Sequence, residues 1–168
     1  MLEDGFGRVA DGLPRALHGL TGEVVLWQPD PAANSIGWLA WHLTRVQDDH
    51  LTGVGQRPQV WTEEGYAQRF GLPYPSSAIG YGQSADDVAA FDVADVDLLL
   101  AYHAAVHAMT TSVLADLGSE ADYLRIVDER WNPPVTAAVR LVSVINDTTA
   151  HLGQIEYLRG LAERRADT

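Results

Sequence analysis

The sequence has 168 residues and a formal net charge of -12, and its 11 basic residues are all arginine. Without lysine or basic clusters, a Schiff-base lysine and a phosphate-loop lysine are excluded, and binding to nucleic acid or to an anionic membrane is not expected. Without cysteine, disulfides, thiolate metal ligands and an internal thiol nucleophile are excluded, so any sulfur chemistry requires an external thiol.

The first predicted element is a helix over residues 2–20, where apolar residues recur at intervals of three and four. A proline-rich connection follows. Asn34 or Ser35 is then placed to cap a second helix that ends near residues 53–58. The core face of the second helix is predicted to contain Ile36, Leu39, Leu43, Val46 and Leu51.

Residues 56–83 contain glycine, proline, serine and scattered aromatic residues, without a sustained helical or strand period. A connection this long in a compact domain is often functional, so it is expected to line or cover a pocket. The alternative is a surface loop held down by its aromatic side chains. A short helix capped by Ser84 is predicted next, with acids in its first turn.

The pattern over residues 96–117 predicts a long helix ended by Gly118. Partial alternation of hydrophobic and polar residues indicates an extended segment over residues 123–131. Pro134 suits the first turn of a last helix that reaches about Leu161. Long helices joined by extended connections predict an all-α four-helix bundle with crossovers, in one domain covering residues 1–168.

Such bundles build sites from inward side chains, and His42 borders the buried face of the second helix. Asp147 and His151 lie at i, i+4 on the last helix, where side chains are neighbours. A carboxylate facing a core needs a cation, hydrogen bonds or a metal. A divalent ion held by His42, Asp147 and His151 would keep one coordination position open, the catalytic arrangement for zinc. The alternative is that the histidines are hydrogen-bonded core residues and Asp147 is exposed or bonded to an arginine or amide.

Two other groups of side chains are candidate site residues. His103 and His107 have the same i, i+4 spacing with two imidazoles, but they flank the apolar face of their helix and are expected at the surface or at a pocket rim. Asp49 shares a side of the helix with His42 at a distance of roughly 10 Å. Asp48 and Asp49 are therefore expected to be solvated or rim charges.

The segments SIGWLAWHL (35–43) and VINDTTAHLGQIEYLRG (144–160) resemble the DinB superfamily, including its mycothiol-dependent maleylpyruvate isomerase relatives. The resemblance spans nearly the whole chain. It implies a four-helix bundle, often dimeric, with a divalent metal bound by one histidine of the second helix and an HxxxH of the last. His42 and His151 match ligand positions, and Asp147 stands where the common pattern has histidine. Two histidines and one carboxylate suit zinc or nickel, with iron as the alternative.

The resemblance also implies mycothiol as the external thiol. A metal at an open site can deprotonate a bound thiol beside an electrophile, giving thiol transfer or thiol-assisted isomerisation. Trp38 and Trp41, with the 56–83 segment, are expected to hold the cofactor or electrophile. Gln154 belongs to the family pattern and is expected beside the cofactor, donating a hydrogen bond to an acceptor around the metal.

Two other functions stay open. One is a non-catalytic dimeric bundle that binds a metal or a small molecule, and the other is metal-assisted hydrolysis with Asp128 or Glu129 as general base. Residues 1–14 contain no apolar signal region, and no apolar stretch is expected to be long enough to span a bilayer. We therefore expect a cytoplasmic protein. The resemblance implies a homodimer whose partner is a small-molecule substrate or thiol.

Overall fold

The computed structural model describes residues 1–166. In chain order, its elements over this range are α1 (Leu2–Leu17), α2 (Gly22–Leu26), α3 (Ile36–Gly55), α4 (Val60–Glu63), α5 (Tyr66–Phe70), α6 (Ala85–Ala89), α7 (Val96–Asp116), α8 (Glu120–Leu124), β1 (Ile126–Asp128), β2 (Val135–Thr136) and α9 (Ala137–Ala166). The predicted all-α bundle is confirmed, with one small antiparallel pair formed by β1 and β2. The domain expected over 1–168 includes residues 167 and 168, which lie outside the described residues.

The long helices α1, α3, α7 and α9 form the bundle. Helix α3 packs against α7 and α9, and α1 packs against the same two helices. Thr44 pairs with His103, and Arg57 donates a hydrogen bond to Ser112, so α3 and α7 run parallel. The connection between their ends, residues 56–95, must therefore return along the bundle. This connection, called the crossover below, is the kind of link that the sequence predicted.

The aromatic residues of the crossover fill part of the core. Trp61, Tyr66 and Phe70 are buried, and all three rings contact Tyr102 of α7, with ring centres 4.8–5.7 Å apart. The alternative that aromatic side chains hold this segment in place is therefore correct for these residues. The expectation that residues 56–83 contain no regular structure is wrong, because helices α4 and α5 form there. Each helix is about one turn long, too short to produce a detectable period.

Several boundaries differ from the predicted ones. Helix α1 ends at Leu17, because Gly19 adopts a φ of +74° that a helix cannot contain. Helix α9 starts after β2, three residues later than predicted, because Val135 pairs with β1 and the Thr136 hydroxyl accepts a hydrogen bond from the amide of Val139. The predicted caps are confirmed for Ser35 and Ser84.

Only part of the segment 123–131, predicted to be extended, has extended structure. Tyr123 and Leu124 belong to α8, whose first turn is held by a capping box between Ser119 and Asp122. The chain becomes extended at Ile126. The turn between β1 and β2 then carries Arg130 and Trp131 towards α3 and α9.

The expectation that no stretch is long enough to cross a bilayer is wrong for α7. Within the part of the chain that the structure describes, α7 has the length and composition of a membrane span. Its Leu99, Val106 and Val113 are buried in the bundle, and the helix packs against α1 and α3. A central helix of a bundle satisfies the same criteria of length and apolarity.

Asp48 is fully buried, contrary to the expected solvated charge. Its carboxylate accepts hydrogen bonds from the amides of Val60 and Trp61, at 3.0 and 2.8 Å, at the start of α4. The Tyr102 hydroxyl donates a third bond at 2.8 Å, and Arg45 lies 3.6 Å away. Burial raises the pKa of Asp48. The carboxylate therefore holds the beginning of the crossover against α3 and α7.

Arg45 extends this attachment along the crossover. The residue is fully buried, and its Nε donates a hydrogen bond to the carbonyl of Ala78 at 3.1 Å. Its guanidinium also lies over the ring of Trp61, 4.9 Å from the ring centre. The crossover is thus attached to α3 at two places, and the second place is one residue before Ile79, which contacts His42.

Candidate metal centre

Helices α3 and α9 bring His42, Asp147 and His151 together. One ligand atom from each residue lies within 4.8 Å of the others, and the two imidazole ring centres are 4.8 Å apart. Among residues 1–166, this is the one group of three or more histidines, cysteines or acids that could hold a metal ion. The three residues singled out from the sequence therefore share one place, and a single ion can bridge them after small side-chain rotations.

His42 is held from two sides. Its Nδ1 lies 2.5 Å from the carbonyl oxygen of Ile79, so this nitrogen donates and Nε2 remains free of a proton. The Trp38 ring stacks on the imidazole, with ring centres 4.7 Å apart. Burial lowers the pKa of His42, which keeps the ring neutral. A neutral imidazole is the form that binds a metal.

His151 is oriented in the same way by a different partner. Its Nδ1 donates to Gln154 Oε1 at 2.8 Å, and its Nε2 lies 3.6 Å from Asp147 Oδ1. Burial acts to lower the pKa of His151, but the hydrogen bonds to Asp147 and Gln154 together raise it. Gln154 was expected to donate a hydrogen bond near the metal. It instead accepts one from His151 and is exposed.

Asp147 has an oxygen that needs a partner. Its Oδ2 is buried and has no hydrogen-bond partner among residues 1–166. Burial acts to raise the pKa of Asp147, but the hydrogen bond and charge of His151, with the nearby His42 and His50, hold it below its ordinary value. An ionised carboxylate with an unpaired buried oxygen fits a cation. Two imidazole nitrogens and this oxygen suit zinc, nickel or iron.

A cavity of about 570 Å³ opens beside His42 and Asp147. Its walls come from α3, α9, the crossover and the turn between β1 and β2. The residues that line it are His42, Val46, Asp49, His50, Ser77, Ile79, Tyr81, Asp128, Arg130, Trp131, Arg140, Ser143, Val144 and Asp147. The volume suits a small-molecule ligand. The crossover lines the cavity, as predicted for residues 56–83.

The far end of the cavity is charged. Asp128 is paired with Arg130 at 2.9 Å and with Arg140 at 2.8 Å. The hydrogen bonds from Arg130, with the charge of Arg140, hold the pKa of Asp128 well below its ordinary range. Asp128 is therefore a weak general base, which disfavours the role considered for it in hydrolysis. Glu129, the other candidate base, is exposed and does not line the cavity.

His50 and Arg140 are cavity residues that sequence reasoning missed. His50 Nδ1 lies 3.3 Å from Asp49 Oδ2, and its Nε2 lies 3.5 Å from an Arg140 nitrogen. A signal existed in the spacing, because Arg140 is seven residues before Asp147 and so lies on the same side of α9. Asp49 is a partly buried rim charge, as one of its two expected roles proposed.

Trp38 and Trp41 lie elsewhere than expected for cofactor-binding residues. Trp38 is buried against His42, and its Nε1 donates to Gln83. Trp41 is buried in the core against Trp61. Neither tryptophan lines the cavity. Trp38 acts on the site through His42, and Trp41 supports the packing beneath it.

His103 is not at the surface or at a pocket rim. It is 3% exposed, and its Nδ1 lies 3.2 Å from the Thr44 hydroxyl, which itself donates to the Ala40 carbonyl. Burial, with the charge of nearby His107, lowers the pKa of His103 to about 4. Within the described residues no third ligand joins His103 and His107. His103 therefore belongs to the interface between α3 and α7, and His107 is partly buried.

The chain is similar to a solved structure and matches the model of a protein family. A crystal structure of a conserved protein from Enterococcus faecalis is similar, with a TM-score of 0.86 and 30% sequence identity over 94% of this chain and 92% of that chain. No curated protein matches this chain. The model of the mycothiol-S-transferase family matches residues 1–163. The match covers nearly the whole sequence, and the DinB resemblance is confirmed, so the chain belongs to the mycothiol-S-transferase family.

Proposed function

We propose that the protein is a divalent-metal-dependent transferase that joins an external thiol, mycothiol, to a small electrophile. One observation carries the proposal. Both imidazoles use Nδ1 to donate to a protein oxygen, so in each neutral ring Nε2 is the nitrogen left to bind a metal, and the unpaired Asp147 oxygen and His42 line a cavity of about 570 Å³. Oriented ligands of this kind are typical of metal centres.

The chemistry follows from what the chain supplies and what it lacks. A divalent ion bound by His42, Asp147 and His151 would lower the pKa of a thiol at its open position. With no cysteine in the sequence, the thiol must come from solution. The thiol proton goes to solvent, the sulfur forms a bond to the electrophilic carbon, and the leaving group departs with the electron pair of the broken bond.

Other residues of the cavity wall are placed to contact a bound ligand. Tyr81 and Trp131 are exposed aromatic residues at the cavity wall, placed to cover part of a bound ligand. Arg140 and His50 offer further polar groups at the cavity wall. A thiol and an electrophile held together in this cavity react as a unimolecular pair, which lowers the entropic part of the barrier.

The first test is metal content. Protein expressed without an affinity tag or added metal is analysed by mass spectrometry for metal per chain, beside His42→Ala and Asp147→Asn. His18→Ala is the matched control, because His18 is exposed and distant in sequence from the three ligands. We expect bound metal in the wild type and in the control only. Negligible metal in every sample would favour the non-catalytic binding protein.

The second test is turnover with mycothiol and a fluorogenic alkyl halide. We expect His151→Ala to lower kcat/KM by at least about 100-fold, since a lost Lewis acid removes several kcal/mol of stabilisation. Activity retained in His151→Ala would contradict metal-centred catalysis. Turnover with cysteine but not with mycothiol would contradict the proposed thiol. The homodimer and the cytoplasmic location stay predictions.

A further inference from the structure

We infer that Gly80 and the Ile79 carbonyl are positioning elements for His42, fixing its ring so that Nε2 is the atom left to bind a ligand. The inference rests on the proposed metal centre. It gives the crossover a role in that centre, in addition to forming a wall of the cavity.

The crossover is held along one face of α3. Three side chains of α3, spaced by four and three residues, donate hydrogen bonds to this part of the crossover. The pairs are Trp38 with Gln83 at 2.8 Å, His42 with Ile79 at 2.5 Å and Arg45 with Ala78 at 3.1 Å. The carbonyl opposite His42 is therefore fixed on both sides along the chain. It is a rigid acceptor and not the tip of a free loop.

Gly80 places its backbone directly against the ring. A Cβ at this position would overlap His42 Nδ1 and would lie 3.0 Å from the Trp38 ring. The φ of Gly80 is +91°, a conformation that favours glycine. With Trp38 stacked on one face of the ring, the imidazole has little room to turn. A ring flip would also leave the Ile79 carbonyl opposite a carbon, without its donor.

Gly82 lies in the same segment and separates the effect of a positive φ from the effect of the close contact with His42. Its φ is +74°, but a Cβ there would meet no described atom within 4 Å. Alanine at either position is strained by the positive φ. Only alanine at position 80 also pushes on His42. The pair of variants therefore isolates the contact with the imidazole.

The experiment compares Gly80→Ala with Gly82→Ala by zinc titration calorimetry against a competing chelator, after confirming the fold by circular dichroism. We expect Gly80→Ala to lose more stability than Gly82→Ala, because its overlap with His42 adds to the backbone strain that the two variants share. Zinc affinity should fall by about 10–100-fold in Gly80→Ala alone, the loss that follows when the partner orienting a ligating histidine is removed. Equal zinc affinities in the two folded variants would overturn the inference.

A second measurement uses metal-free wild-type protein, so it stands even if Gly80→Ala does not fold. Long-range proton–nitrogen NMR spectra of the imidazoles report which ring nitrogen carries the proton. We expect His42 to be protonated at Nδ1 in the wild type and in Gly82→Ala, with increased Nε2 protonation in Gly80→Ala. A wild-type ring protonated at Nε2 would overturn the inference. The expected tautomer without zinc binding would contradict the proposed function and leave this inference standing.

Discussion

At the scale of single residues, the candidate centre depends on the proton positions of two imidazoles. Ile79 holds the proton of one ring and Gln154 holds the proton of the other. These two acceptors differ in strength of attachment, because the Ile79 carbonyl is part of an anchored segment and Gln154 is exposed. His42 is therefore the more rigid ligand of the two.

Metal binding should weaken as pH falls, because of His151. Its pKa is raised, so at and below that pKa an incoming ion must displace a proton from the ring. We expect affinity to fall by up to about tenfold per pH unit in this range, with release of one proton. Calorimetry in two buffers of different ionisation enthalpy measures that proton. An affinity indifferent to pH between about pH 8 and pH 6 would contradict the assignment.

The choice of aspartate at position 147 gives a second prediction. Asp147→Asn keeps the shape but removes the anionic ligand, and we expect zinc affinity to fall by more than about 100-fold. Asp147→His restores the common family pattern and should still bind zinc. Competition with a coloured chelator measures both. Equal binding by wild type and Asp147→Asn would show that the carboxylate is not a ligand.

The residues of the site differ in how well the sequence predicts them. Asp147 and His151 follow from i, i+4 spacing, because neighbours on a helix surface are a local property. Grouping His42 with them is a weaker inference, because His42 lies on another helix and the grouping relies on both helices facing one bundle core, an expectation that the DinB resemblance supports. The Ile79 carbonyl could not be predicted, because every residue has a carbonyl and only the docked crossover selects this one.

At the scale of elements, the buried pair of Asp48 and Arg45 attaches the crossover to α3. We expect Asp48→Asn to lower the free energy of unfolding by about 3–5 kcal/mol, because it leaves a buried guanidinium without its counter-charge. The matched control is Asp49→Asn at the neighbouring, partly exposed position, for which we expect at most about 1 kcal/mol. Urea denaturation measures both. Similar losses in the two variants would contradict the structural role of Asp48.

The long helices were predictable and the short elements were not. Helices α3 and α7 have 20 and 21 residues, so each is long enough for its apolar residues to recur at helical intervals several times. Helices α4 and α5 have 4 and 5 residues, and their position depends on Asp48 and the aromatic contacts with Tyr102. Those contacts are made across the fold and leave no local pattern.

At the scale of the whole molecule, His103 should make the stability of the fold depend on pH. Its pKa is about 4 in the folded protein and 6.5 ordinarily. As pH falls from 6.5 towards 4, His103 becomes protonated in the unfolded chain but stays neutral in the folded protein. The free energy of unfolding therefore decreases, by about 3 kcal/mol in total.

His103→Gln isolates this contribution, because His42 and His151 titrate in both proteins. We expect the free energy of unfolding of the variant to change less over the same pH range than that of the wild type, as measured by urea denaturation at each pH. Parallel curves would show that the His103 ring is not kept neutral by burial.

Metal binding should stabilise the entire bundle, because the ligands come from two helices that separate on unfolding. At a free zinc concentration about 100-fold above Kd, the gain is about 2.7 kcal/mol, or roughly 5–10 °C in Tm for a chain of this size. Calorimetric scans with zinc and then with excess chelator measure the shift. His42→Ala should show none, and an equal shift in that variant would place the ion elsewhere.

The parallel course of α3 and α7 also dictates a folding order. Ile79 is 37 residues from His42 in sequence, and their hydrogen bond forms only when the crossover has come back over the bundle. Contacts that close long loops are acquired late, after local helices. We therefore expect the orientation of His42, and with it the geometry of the proposed metal centre, to be set only after the crossover has docked, late in folding.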